Sequence, residues 1–228
     1  MYYCLWCDEE LIIQLGWSNV FNVKKPYRIC PQCWSNFQKV QEIKCQVCSR
    51  PNVKRICHDC KQWSKFYDGK DPLIKNISLF TYNSFMKEVI TRWKYQGDYI
   101  LGEMFGTTFQ TIFKKTFPSL RKKAIIVPIP LSKERSIERG FNQATSLATY
   151  LTECPQMLLA RHHHEKQAKK TRMQRMMTKN PFYLKNTLNK PVILVDDIYT
   201  TGRTVRHAAT LLKDNGCPEV YAYTLIRG

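Results

Sequence analysis

Residues 192–204, VILVDDIYTTGRT, bring together the side-chain types that hold a phosphorylated sugar. Asp196 and Asp197 are adjacent carboxylates, and carboxylates accept hydrogen bonds from sugar hydroxyls. Thr200, Thr201 and Thr204 offer hydroxyls. Gly202 can take a positive φ, and backbone N–H groups opening the next helix favour an anion. An ordinary helix N-cap would account for one acid, not for two acids followed by three threonines. The segment is expected to form a phosphosugar pocket.

A second set of reactive side chains fills the first 60 residues, where Cys4 and Cys7, Cys30 and Cys33, Cys45 and Cys48, and Cys57 and Cys60 form four Cys-x-x-Cys knuckles. A two-residue gap turns both thiolates toward one ion, and two knuckles close a tetrahedral site whose usual occupant is zinc. Redox chemistry would suit one such pair, but four in succession favour two structural Zn2+ ions. Neighbouring knuckles pair most simply, given the short gap between Cys48 and Cys57; a cross-brace of the first with the third is the alternative. Cys154 and Cys217 are expected to be buried as small apolar residues. Three consecutive histidines, His162 to His164, cannot readily converge on one ion, so no metal is assigned to them.

The elements that must position these groups follow from periodicity. Val192 to Val195 reads as a buried parallel strand closed by the two acids, followed by a helix from about 202 to 215 and a strand over 220–226. Upstream, residues 77–82 alternate like a strand. Phe85, Val89, Ile90 and Trp93 give helical spacing over 84–95, and a second helix is expected over about 98–115. The strand AIIVPI at 124–129 leads to Pro128 and Pro130, which stiffen an end where open α/β sheets bind ligands. Lys133, Arg135 and Arg139 follow and are available to an anion. The fold class is α/β with an open, mainly parallel sheet. The expected division is a zinc module over 1–66, a polar linker over 67–75 and the sheet domain over 76–228.

The double-acid strand end and the Thr-Gly-x-Thr loop resemble the phosphoribosyltransferase signature. That resemblance implies a type I phosphoribosyltransferase topology. It also implies that Asp196 and Asp197 hold the ribose hydroxyls of phosphoribosyl pyrophosphate, while Tyr199, Thr200, Thr201, Gly202, Arg203 and Thr204 hold its 5-phosphate. Arg139-Gly140-Phe141-Asn142-Gln143, between the Pro-rich strand end and the double-acid loop, resembles the ComF family of competence proteins, which includes GntX-like members and also carries an N-terminal cysteine-knuckle module. From it, pyrophosphate contact is expected of Arg135 and Arg139, with Mg2+ accompanying the ligand. Asn142 and Gln143 suit pyrophosphate contact and helix capping about equally. Asp196, Asp197, Arg135 and Arg139 are the candidates for any catalytic role.

Lys and Arg number 36 against 18 Asp and Glu, for a net charge of +18, and such a balance favours a polyanion, nucleic acid above all. The basic segment 161–190 resembles the family's own. It places Lys166, Lys169, Lys170, Arg172 and Arg175 as nucleic-acid contacts, or as a hood over the pocket. Trp6, Trp17, Trp34, Phe37 and Trp63, interleaved with Lys24, Lys25, Arg28, Lys54 and Arg55, could stack on single-stranded bases, although a small zinc module needs most of its rings for packing. The N-terminus lacks a leader pattern, and no stretch reaches the roughly 18 apolar residues of a spanning helix. A cytoplasmic protein is expected.

The resemblance implies a DNA-uptake factor that binds single-stranded DNA and phosphoribosyl pyrophosphate. It would work beside an ATP-dependent DNA translocase of the helicase type and be recruited to the membrane-bound uptake machinery. Two other readings stand beside it: an active phosphoribosyltransferase of unknown acceptor, and a zinc-headed adaptor with a vestigial pocket.

Overall fold

The computed structural model describes residues 2–11, 28–162, 180–186 and 188–228. Four strands form a parallel sheet in the order β1 (Lys75–Thr81), β6 (Val220–Arg227), β5 (Val192–Tyr199) and β2 (Ile125–Pro128). β5 and β6 are central and buried on both faces, which is why Val192 to Val195 reads as a continuous apolar run. A separate antiparallel pair, β3 (Leu159–Arg161) with β4 (Phe182–Leu184), lies outside this sheet.

Helices α1 (Pro31–Ser35) and α2 (His58–Phe66) belong to the cysteine-rich region, each entered through a cysteine N-cap, Cys30 and Cys57. α3 (Ser84–Tyr95) begins where the Asn83 side chain accepts the Met86 N–H at 2.8 Å, and it buries Met86, Val89, Ile90 and Trp93. The expected single helix over 98–115 is two elements, a 3-10 turn at Tyr99–Gly102 and α4 (Glu103–Thr116). The break falls where Gly102 lies against the Trp93 indole, so that an added Cβ would stand 3.0 Å from it. α5 (Lys133–Arg139) ends on Gly140 at φ 72°, and α6 (Gln143–Thr149) is capped by Asn142. α7 (Arg203–Asp214) follows β5 and starts from Gly202 at φ 78°.

The acids do not end β5. Ladder partners continue through Asp196, opposite Thr224, to Tyr199, opposite Arg227, because β6 extends far enough to pair with them. The connecting loop is therefore only Thr200–Gly202, and the Tyr199 side chain is turned into the core.

The cysteine-rich region lies along the outer edge of β1. Val40 donates to the Leu79 carbonyl at 2.8 Å, Thr81 to the Gln38 carbonyl at 2.8 Å, and Asn76 to the Val47 carbonyl at 2.7 Å. An edge strand otherwise left with unpaired polar groups is covered in this way. Trp34, Phe37, Phe80, Phe85 and Phe105 pack ring against ring, with Phe37 centroids 5.0 to 5.5 Å from those of the other four. These rings build core, as does Trp63; Trp17, Lys24 and Lys25 lie outside the described residues. Cys217 is buried as expected. Cys154 is exposed, because it falls in the turn after α6 rather than under an element.

Candidate functional site

At the carboxyl end of β5, Asp197 is buried and pairs with Lys94 of α3; each side chain is 12% exposed. Asp196 accepts the Asp197 N–H at 2.9 Å, and Asp197 accepts the Ile198 N–H at 2.7 Å. Burial, reinforced by the neighbouring Asp197 charge, holds the Asp196 carboxyl well above the usual range, with Lys94 acting in the opposite direction. Two acids share one small space with a single close cation, an arrangement suited to hydroxyl groups or a divalent ion.

Beyond the acids the loop opens to solvent. Thr200, Thr201 and Thr204 are exposed, Arg203 is half-buried, and Gly202 is enclosed. No other residue fits at 202, since a Cβ would lie 2.1 Å from Tyr199 Oη and 2.4 Å from Arg206 Nη1. Tyr199 does not face the opening; its hydroxyl accepts from Arg206 at 2.7 Å. Arg206 is fully buried and makes a bidentate pair with Asp71, at 3.1 Å from Nε to Oδ1 and 2.8 Å from Nη2 to Oδ2. Asp71, from the stretch expected to be a linker, is thus part of the loop's foundation.

Further cations gather around Arg161 from several elements. Arg161 of β3 is partly desolvated and lies within electrostatic reach of Arg135, Arg203, Asp196 and Glu134; burial, then Arg135 and Arg203, lower its pKa. His207 of α7 is pushed down to about 4 by burial and then by Arg203 and Arg161. Like charges held together in this way raise the potential for an anion. Arg135 is exposed on α5, while Arg139 donates to Gln143 Oε1 at 3.1 Å and Tyr95 Oη at 3.3 Å, its guanidinium 5.2 Å from the Tyr95 ring centre. Asn142 caps α6 and donates to the Ile129 carbonyl at 2.9 Å, a structural role. Lys94 comes from a helix with no motif of its own, whereas Arg161 opens the basic segment 161–190 without being singled out within it. Lys166, Lys169, Lys170, Arg172 and Arg175 lie outside the described residues, as do His163 and His164; His162 packs against the Tyr183 ring, with centroids 4.6 Å apart.

The eight knuckle cysteines form two clusters by neighbouring pairs, Cys4, Cys7, Cys30 and Cys33 in one and Cys45, Cys48, Cys57 and Cys60 in the other. Within each, the sulfurs all lie within 4.8 Å of one another. A tetrahedral zinc with bonds of about 2.3 Å sets its sulfurs about 3.8 Å apart. Here Cys7 and Cys30 are 3.8 Å apart and Cys48 and Cys57 3.5 Å, so each cluster could hold a metal ion and fits zinc.

The clusters are built alike. In each a tight turn, with Asp8 at φ 59° or Ser49 at φ 61°, is closed by a 3.0 Å bond from that residue to the carbonyl of Cys4 or Cys45. The turn faces a helix start, and the N–H of Cys30 or Cys57 donates at 3.3 Å to the sulfur of Cys4 or Cys45. In the second cluster the Cys60 thiol, followed by the Arg227 guanidinium, pulls the Cys48 thiol down against the effect of burial, while Cys57 and Cys60 are pushed up.

Residues 137–228 match the family described as "Phosphoribosyl transferase domain". The chain is 38% identical over 228 residues to Competence protein ComFC of Bacillus subtilis, covering 98% of this chain and 94% of that protein. It is 31% identical to Competence protein ComFC of Streptococcus pneumoniae, covering 98% and 99% respectively. It is 25% identical to Competence protein F of Haemophilus influenzae, covering 92% and 99%.

Proposed function

This chain belongs to the ComFC family of competence proteins and carries a phosphoribosyltransferase domain, and from that membership we propose that it serves DNA uptake by binding phosphoribosyl pyrophosphate and single-stranded DNA. The observation that carries the ligand is the crowding of Arg135 and Arg203 against Arg161, with Asp196 within the same electrostatic reach, next to the open threonine loop. Arginines crowded against one another, one partly desolvated, gain from a multiply charged anion between them. A ribose bearing both a 5-phosphate and a diphosphate matches the whole constellation. Thr200 to Thr204 would take the 5-phosphate, Asp196 and Asp197 the ribose hydroxyls, and Arg135, Arg161 and Arg139 the diphosphate.

Mg2+ suits the same oxygen donors, since it is commonly held by one or two carboxylates together with ligand phosphates, and it would neutralise charge on the diphosphate. Lys94 would then balance whichever of the two acids is not engaged.

DNA contact is supported by charge rather than by rings. Lys44, Lys54 and Lys75 line a groove beside the second cysteine cluster, Lys54, Arg55 and Lys75 are exposed, and the candidate stacking rings described are packed in the core. Binding through phosphates falls steeply with salt, so affinity for an oligonucleotide is expected to drop by orders of magnitude between 50 and 300 mM salt. A flat response would remove DNA from the proposal. The place of action is then cytoplasmic, beside an ATP-dependent translocase. No helix among the described residues is long and apolar enough to cross a membrane.

The deciding experiment is calorimetric titration of phosphoribosyl pyrophosphate, with and without Mg2+, against the wild type and Asp196→Ala with Asp197→Ala. Saturable binding lost in the folded double variant is expected. Absence of binding in the wild type overturns the pocket and leaves a zinc-headed adaptor. The domain match also favours an active transferase, for which pyrophosphate release in a screen of bases and amines is the measurement.

A further inference from the structure

Two side chains, one on the helix that carries Cys60 and one at the end of β6 in contact with Cys48, reach the backbone of the threonine loop, and we propose that Trp63 and Arg227 are positioning residues that aim the loop's N–H groups at a sugar 5-phosphate. The inference rests on reading Asp196–Thr204 as a sugar-phosphate pocket and assigns the cysteine cluster a part in it.

The first route runs along α2. Cys57 caps this helix, Cys60 supplies a sulfur from its first turn, and Trp63 lies on the same side three residues later. The Trp63 indole, 4% exposed, donates from Nε1 to the Thr201 carbonyl at 2.8 Å, spanning 138 positions of sequence. Its ring also carries the Arg206 guanidinium 5.0 Å from its centre, and Arg206 holds the Tyr199 hydroxyl. The second route runs through Arg227, which donates to Cys48 Sγ at 3.7 Å and to the Tyr199 carbonyl at 3.0 Å.

Both routes end on carbonyl oxygens, of Tyr199 at the loop's entry and of Thr201 within it. In a planar trans peptide the N–H points opposite to the C=O of the same unit. Fixing these two carbonyls toward the interior therefore turns the N–H groups of Thr200 and Gly202 outward. That is the side on which the exposed threonines lie. Outward N–H groups at a helix start are the donors a phosphate uses. Neither Trp63 nor Arg227 need touch the ligand.

The test uses the full chain with both metals loaded, as Trp63→Phe and separately as Arg227→Lys. Phe keeps the ring under Arg206 and removes only the N–H. Phosphoribosyl pyrophosphate, ribose 5-phosphate and inorganic pyrophosphate are titrated in turn, and amide hydrogen exchange is followed at Thr200 and Gly202. Zinc content is expected to stay at the wild-type value. Affinity for the two 5-phosphates should fall about tenfold while pyrophosphate stays within twofold, with exchange at least tenfold faster at Gly202 in the Trp63 variant and at Thr200 in the Arg227 variant. Cys7→Ser, which breaks the other cluster, should leave this exchange unchanged.

Equal weakening toward all three ligands, or unchanged affinity in both variants, overturns the proposal. If the wild type binds neither sugar phosphate, the pocket reading itself fails. Exchange at Thr200 and Gly202 then decides the coupling alone, and protection equal to wild type refutes it.

Discussion

Lys94 of α3 forms an ion pair with Asp197 of β5, a strand that begins 98 residues after Lys94, and both side chains are almost enclosed. Removing one member of a buried pair leaves an uncompensated charge, costing more than the pair itself contributed. Lys94→Met is expected to destabilise the fold by about 3 kcal/mol. Urea unfolding measures this. A loss below about 1 kcal/mol would mean that the pair is not what stabilises the site.

Asp196 carries the opposite sign. Its raised pKa means that the folded protein holds a proton more firmly than the unfolded chain, so stability falls as pH rises from the ordinary carboxylate range through the folded value. Asp196→Asn should therefore melt at a higher temperature than wild type at pH 8, and the difference should close toward pH 4. A calorimetric melt series tests it. The same variant should bind phosphoribosyl pyrophosphate more weakly, since a group placed for a ligand can cost stability.

Gly202→Ala should be the most damaging single methyl in the loop. The residue stands at φ 78°, and the new carbon would meet Tyr199 Oη and Arg206 Nη1 at 2.1 and 2.4 Å. Strain at such a position is of order 1–3 kcal/mol before any clash is relieved. Thermal unfolding should show a loss of at least about 2 kcal/mol. Titration should show the sugar phosphate released at least tenfold more readily, whereas Gly140→Ala, with open space around it at φ 72°, should spare binding.

Zinc should leave in two phases. Cys7 is exposed in the first cluster, whereas Cys45, Cys48, Cys57 and Cys60 are all buried. A chromogenic chelator is expected to take one ion per chain quickly and the second slowly, with native mass spectrometry counting two ions at the start. Cys7→Ser should remove the fast phase only. A single phase releasing both ions would contradict the difference in access.

Much of this was readable in advance where chemistry is local in sequence. Cys-x-x-Cys spacing, the apolar run before Asp196, and Gly202 among threonines each carry their meaning within a few positions. What escaped notice was long-range. Nothing around Lys94 announces a partner in β5, and Trp63 looks like an aromatic of a zinc module until α2 is laid against the loop. Tyr199 reads with the loop if the strand stops at the acids, yet β6 pairs with it to the end. Asp71 sits among residues that ordinarily mark a flexible connection, Asp68, Gly69 and Pro72, yet it anchors a buried arginine.

The place of β6 at the centre of the sheet also bears on how the chain acquires its shape. Lys75 of β1 pairs beside Tyr221 of β6, so the sheet cannot join its two halves until residues about two-thirds of the chain apart have met. Closing such distances is slow, while the second cysteine cluster closes over only the span from Cys45 to Cys60. Metal capture there would come early during synthesis, and the ion would give the growing chain a fixed point against which its last strand is later laid down.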